Sequence, residues 1–124
     1  MAEKAAVPKP TDADKDWFVD LLPTDDDVTK RPMFGNLAGF VNGNMFMALF
    51  GPTIALRLDE TSRDELLAEG GTPFAPMPSR PMKEYVVLPD RARDDETMAR
   101  DWVGKALQHT RTMPAKQPKP RNKR

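Results

Sequence analysis

The chain contains no cysteine, which removes disulfides, thiolate nucleophiles and cysteine-built zinc sites from consideration. Histidine occurs once, at position 109. A lone imidazole supplies neither the full ligand set of a metal centre nor the positioned partner that a general base needs. No stretch approaches the roughly 18 consecutive apolar residues of a membrane span. The N-terminus, MAEKAAVPKP, has neither a hydrophobic signal core nor an Arg-rich amphipathic pattern. A cytoplasmic protein with no membrane contact is therefore expected. No glycine cluster ends in the Gly-Lys-Ser/Thr that closes a phosphate loop. Asp25-Asp26-Asp27 is followed by neither the Gly turn nor the distal Glu of a calcium loop, so it reads as a solvated connector. These absences leave no catalytic residue, cofactor site or metal ligand to nominate, and a protein that is not an enzyme is expected.

What is present fits one small domain. The chain has 124 residues, of which 39% are hydrophobic and 31% charged, enough for a single modest core. Lysine plus arginine and aspartate plus glutamate both number 19, yet the balance is uneven along the chain. Arg111, Lys116, Lys119, Arg121, Lys123 and Arg124 lie beyond position 110, where no acid occurs. The first 110 residues thus hold 13 basic against 19 acidic residues, a net of −6. Residues 1–10 and 111–124 lack hydrophobic periodicity and are expected to be disordered, leaving a folded domain over 11–110.

Within that domain, Thr11 or Asp12 can cap a helix whose apolar face is Trp17, Phe18, Leu21 and Leu22, ended by Pro23. From Val28 the pattern becomes extended. Pro32 cannot donate to a ladder, so the segment 28–34 is expected at an edge or only partly as strand. Asn42-Gly43 is the strongest hairpin signal in the chain, because both central residues of a type I′ turn need positive φ. A regular hairpin about that turn pairs Val41 with Asn44, Phe40 with Met45, Gly39 with Phe46 and Ala38 with Met47. Phe40, Met45, Met47, Ala38 and Leu49 would then share the core face, and Gly39 would make room for the Phe46 ring. Phe46, Ala48, Phe50 and Arg57 would form an unusually apolar second face, covered by a helix or by a partner.

After the Gly51-Pro52 turn, Ile54, Leu56 and Leu58 alternate toward the core. Residues 59–69 read as a second helix with Asp59 or Ser62 as cap and Gly70 at the C′ position. The proline-rich stretch 71–82 is expected to be an irregular loop anchored by Phe74 and Met77. Residues 83–88 form a last strand, with Tyr85 and Val87 on one face and Val86 and Leu88 on the other. Asp94 or Asp95 starts a final helix on which Met98, Trp102 and Ala106 recur. The expected architecture is a single α+β domain in the order α-β-β-β-β-α-β-α, with an antiparallel sheet of about five strands packed with helices.

Arg31-Pro32-Met33-Phe34-Gly35, Asn42-Gly43, Met45-Phe46, Asp59-Glu60-Thr61, Arg63, Glu65-Leu66 and Gly70-Gly71-Thr72-Pro73-Phe74, followed by Arg80-Pro81-Met82, Tyr85 and Pro89, form an ordered set. Across about residues 14–109 that set resembles the TfoX N-terminal domain family. The resemblance implies a compact α+β fold close to the secretion-chaperone-like sandwiches. It also implies a link to bacterial competence regulators of the TfoX/Sxy type, which act with a transcription activator and offer no catalytic residues to carry over. Two features differ: the competence regulators carry a second, C-terminal helical domain where this chain has a basic tail, and Gly35-Asn36-Leu37 stands where the family often has Gly-Gly-aromatic.

The expected role is a non-enzymatic regulatory or protein-interaction module, with Met33, Phe34, Phe46, Phe50, Arg57 and Arg80 as the contact surface and the protein partner unidentified. Pairing of two copies through the apolar face is compatible with this reading. The alternative is a nucleic-acid-associated protein. Its tail residues Arg111, Lys116, Lys119, Arg121, Lys123 and Arg124 would make weak, salt-sensitive phosphate contacts. The tail has no aromatic residue for base stacking.

Overall fold

The computed structural model describes residues 9–33, 35–75 and 82–114. The expectations for residues 1–8, Phe34, Met77, Arg80 and the tail from position 115 lie outside the described residues.

Helix α1 (Asp12–Leu21) starts from Thr11 in a reciprocal capping box. The Asp14 N–H donates to Thr11 Oγ1 at 3.1 Å and the Thr11 N–H donates to Asp14 Oδ2 at 2.9 Å. Leu22 is already extended, as the residue before a proline must be, and the helix stops there. Helix α2 (Glu60–Ala68) is capped by Asp59, whose carboxylate accepts from the Ser62 N–H at 2.8 Å. Its far end is a Schellman motif: Gly71 N–H reaches Leu66 O at 2.9 Å and Gly70 N–H reaches Leu67 O at 3.1 Å. Gly70 holds φ +107°, a conformation that side chains disfavour. Helix α3 (Glu96–Arg111) is capped by Asp95 and follows a short 3-10 turn over Asp90–Asp94.

Six strands, β1 (Val28–Met33), β2 (Asn36–Val41), β3 (Asn44–Phe50), β4 (Thr53–Arg57), β5 (Thr72–Pro73) and β6 (Tyr85–Val87), form one antiparallel sheet in the order β1-β2-β3-β4-β6-β5. The α+β class and single sheet agree with expectation, and β1 with its Pro32 lies at an edge. The sixth strand is β5: two residues of the proline-rich stretch pair with β6, although neither shows a strand pattern in sequence.

All three helices send their buried apolar residues into one layer against one sheet face. Phe18 and Leu21, Leu66, and Trp102, Val103, Ala106 and Leu107 pack there with Val41, Phe46, Met47, Leu49, Ile54, Leu56 and Val86. The Asn42-Gly43 turn has the positive φ pair expected, 55° and 78°. Val41 opposes Asn44 and Phe40 opposes Met45, but then Gly39 opposes Met47 and Ala38 opposes Ala48. Phe46 is the extra residue of a β-bulge.

The bulge corrects the expected faces. Phe46 and Met47, consecutive in sequence, both lie fully buried in the helix-side core. Phe40, Met45 and Ala38, expected there, belong to the opposite face. Gly39 is the local reason: a Cβ on it would lie 2.7 Å from Leu22 Cδ1, 3.0 Å from Met47 Cγ and 3.3 Å from Phe46 Cε1. The absent side chain lets helix α1 and the Phe46 ring close over β2.

Candidate functional site: the helix-free sheet face

On the face away from the helices a second, smaller cluster forms. Ala55, Phe74 and Tyr85 are its buried members, and Met45, Phe50, Met82 and Val87 pack against them. Phe74 supplies the cover that the sequence reading assigned to a helix or a partner. Its ring meets Phe50 edge-on at 5.4 Å and Tyr85 at 6.1 Å. The Met82 N–H donates to Phe74 O at 2.9 Å, which holds these two residues together at this face. Tyr85 donates its hydroxyl to Met45 O at 2.9 Å, and burial pushes its phenol above the usual range.

Among the described residues the cover is incomplete. An apolar cleft of about 130 Å³ remains, lined chiefly by Met33, Leu37, Met45, Ala48, Phe50, Phe74 and Met82. Methionine side chains adapt to differently shaped apolar groups, and three of them line this one cleft. Its charge surroundings are one-sided, because none of the six strands contains an aspartate or glutamate. The strands bring Arg31 and Arg57 to this face instead. Arg31 is exposed, lies opposite Ala38 at the cleft, and stacks its guanidinium 4.6 Å over the Phe40 ring. Arg57 sits 5.8 Å over the Tyr85 ring and donates Nε to Glu84 Oε1 at 2.7 Å. With two strands between theirs and a two-residue offset along them, the arginines have backbones roughly 16 Å apart, so they do not converge on one small anion.

Of the expected contact residues, Met33 and Phe50 line the cleft and Arg57 stands on the same face. Phe46 is a correction: its side chain is fully buried on the other side of the sheet and cannot meet a partner in the folded domain. Ala48, expected on this face, lines the cleft as well, with Met82; Arg31, Met45 and Phe74 were not among the expected contact residues. The alternation Thr29, Arg31, Met33 was legible in sequence and would have placed Arg31 beside Met33. The side of the sheet taken by Met45 depends on the bulge.

The basic-tail proposal also needs correction at its first residue. Arg111 ends helix α3 and is held by two carboxylates, with Nη2 at 2.9 Å from Asp25 Oδ2 and from Asp27 Oδ1, and Nε at 2.9 Å from Asp27 Oδ2. The hairpin tip grips the same helix end: Asn42 Nδ2 donates to Arg111 O at 3.4 Å and Asn44 Nδ2 to Pro114 O at 3.0 Å. Arg111 is thus committed to the fold. Lys116, Lys119, Arg121, Lys123 and Arg124 lie outside the described residues. Asp25 and Asp27 clasp this arginine, so the connector has a structural role. His109 is half-buried in the last turn of α3, in a groove shared with Asp59, Asp101 and Lys105. Among the described residues no His, Cys, Asp or Glu group is arranged to hold a metal, and no helix is long and apolar enough to cross a membrane.

Three aspartates tie stability to pH. The Thr11 N–H and then Arg93, 2.7 Å away, hold the Asp14 carboxyl below its ordinary value. The Arg111 guanidinium does the same for Asp27, and the Ser62 N–H for Asp59. Below about 3.9, the usual value for an unfolded Asp, the unfolded chain binds more protons than the folded one. Stability contributed by these groups is therefore fully present above that pH and is lost as pH falls through the lower folded values. Urea titrations across pH 2–6 are expected to show this loss, and Asp14→Asn should flatten the profile. An unchanged profile would exclude Asp14 as a source.

Among curated proteins none matches the chain. Residues 20–110 match the TfoX N-terminal domain, and that span runs from the end of α1 through the sheet to the last turn of α3. It includes the whole helix-free face and most of the opposing helical layer, and by this match over most of its length the chain belongs to the TfoX N-terminal domain family.

Proposed function

We propose that this domain is a non-enzymatic regulatory module that binds a protein partner through its helix-free sheet face. The observation that supports the reading most is the methionine-lined cleft between β1, β3 and Phe74, an apolar depression on a face where the strands carry no acidic residue. Family membership supports a regulatory setting, linked in this family to control of competence and transcription. The wide separation of Arg31 and Arg57 counts against a small-molecule reaction centre here.

The test places a photo-crosslinking amino acid at Met33, beside the cleft, or at Asp101, exposed on α3, in the full chain expressed in cells. A discrete adduct from position 33 that is absent from position 101 is the expected result. No adduct from position 33, or the same adducts from both positions, would discard the reading.

A further inference from the structure

The helix-free face also constrains the chemistry of what it binds. Its cleft, about 130 Å³ in volume, suits an aliphatic or aromatic side chain, and its walls are almost wholly carbon and sulfur. The first 110 residues carry a net charge of −6, so most of this surface repels an acidic partner. The sheet is the exception. With no carboxylate in any strand, the charges that the strands place on this face are Arg31 and Arg57, and Glu84 occupies Arg57. Arg31 has the Phe40 ring beneath it and, among the described residues, no carboxylate against it. Its guanidinium keeps its donors available at the rim of the cleft, where a carboxylate can accept them.

We propose that the face takes a peptide segment in which an apolar anchor residue is flanked by aspartate or glutamate, the anchor entering the Met33-Met45-Met82 cleft and a flanking carboxylate meeting Arg31. The inference rests on the reading that this face binds a protein and deepens it by naming the partner's chemistry. A second copy of this chain fits less well, because apposing two such faces would bring arginines together. Nucleic acid also fits less well. The Phe74 and Tyr85 rings are buried against their neighbours, Arg31 covers Phe40, and an apolar cleft disfavours polar bases.

The test uses the full chain with carbon-13 methionine methyls, titrated with three probes. These are a synthetic peptide with a Leu-Phe pair flanked by Asp and Glu, the same pair flanked by Lys, and a single-stranded oligonucleotide. The expected result is that the acidic peptide shifts the Met33, Met45 and Met82 methyls. Arg31→Glu should weaken that binding roughly tenfold and make the lysine-flanked peptide the better ligand. The proposal is overturned if millimolar acidic peptide leaves the cleft methyls unmoved. It is equally overturned if the lysine-flanked peptide binds the natural chain as well, if Arg31→Glu changes nothing, or if the oligonucleotide moves these methyls instead. In any of those cases a crosslink specific to position 33 would keep the broader protein-binding reading alive. Its absence would remove both.

Discussion

Phe46→Ala is expected to destabilise the domain by about 3–5 kcal/mol, a large share of the roughly 5–15 kcal/mol available to a domain of this size. The ring is fully buried on the helix side of the sheet, and the bulge that puts it there leaves no alternative outlet to solvent. Truncation removes the transfer energy of the ring and opens a cavity beneath α1 that the neighbouring main chain closes only in part. Phe50→Ala, on the half-covered opposite face, should cost under about 2 kcal/mol, because less of that ring leaves water on folding. The contrast tests the bulge directly. In a regular hairpin the two phenylalanines would share a face and respond alike. Chemical denaturation of the two variants measures the difference, and equal losses would contradict the register described here.

Gly71→Ala and Gly104→Ala should move stability in opposite directions although the chemical change is identical. A Cβ on Gly71 would lie 2.9 Å from Val86 Cγ1, 2.9 Å from Val87 O and 3.0 Å from Leu66 Cγ. The carbonyl belongs to the β5-β6 ladder and the N–H of Gly71 closes the Schellman motif, so neither neighbour can retreat without loss elsewhere. We expect a cost of about 1–3 kcal/mol, the usual range for forcing extra volume into a packed site. Gly104 lies in the middle of α3 with nothing within 4 Å of an added Cβ. There alanine relieves the backbone entropy that glycine loses in a helix, a gain of up to about 1 kcal/mol. Thermal melts of the two variants are expected to shift down and up respectively. A neutral Gly71→Ala would show that α2 docks on β6 less closely than described.

These expectations separate what local sequence can say from what it cannot. The Asn42-Gly43 turn, the cap regions of the three helices and the Gly70 stop follow from the conformational preferences of a few adjacent residues, and the fold takes Thr11, Asp59 and Asp95 from the cap candidates and sets β1 at an edge. Ile54, Leu56 and Leu58 point to the core because a strand alternates its faces, and the same rule places Tyr85 and Val87 on the other side. The family signature, spread over nearly the whole folded region, reinforced those local readings.

The helix-free face was less legible in sequence because its membership is decided by contacts between distant residues. The bulge at Phe46 arises where Leu22, from the end of α1, closes over the empty position at Gly39, and one extra residue there exchanges the faces of Phe40, Met45 and Phe46. Thr72 and Pro73 become a strand only because β6 lies beside them. Arg111 looks like the first charge of a basic tail until the fold brings Asp25 and Asp27 to it from more than 80 positions away. Local chemistry in the chain was enough for the turn and caps, the α+β class and every α-helix and strand but β5. Long-range contacts settled which apolar residues around the hairpin join the core and which the cleft, because one extra residue at the bulge exchanges the faces of Ala38, Phe40, Met45 and Phe46 while Met47 to Phe50 keep theirs.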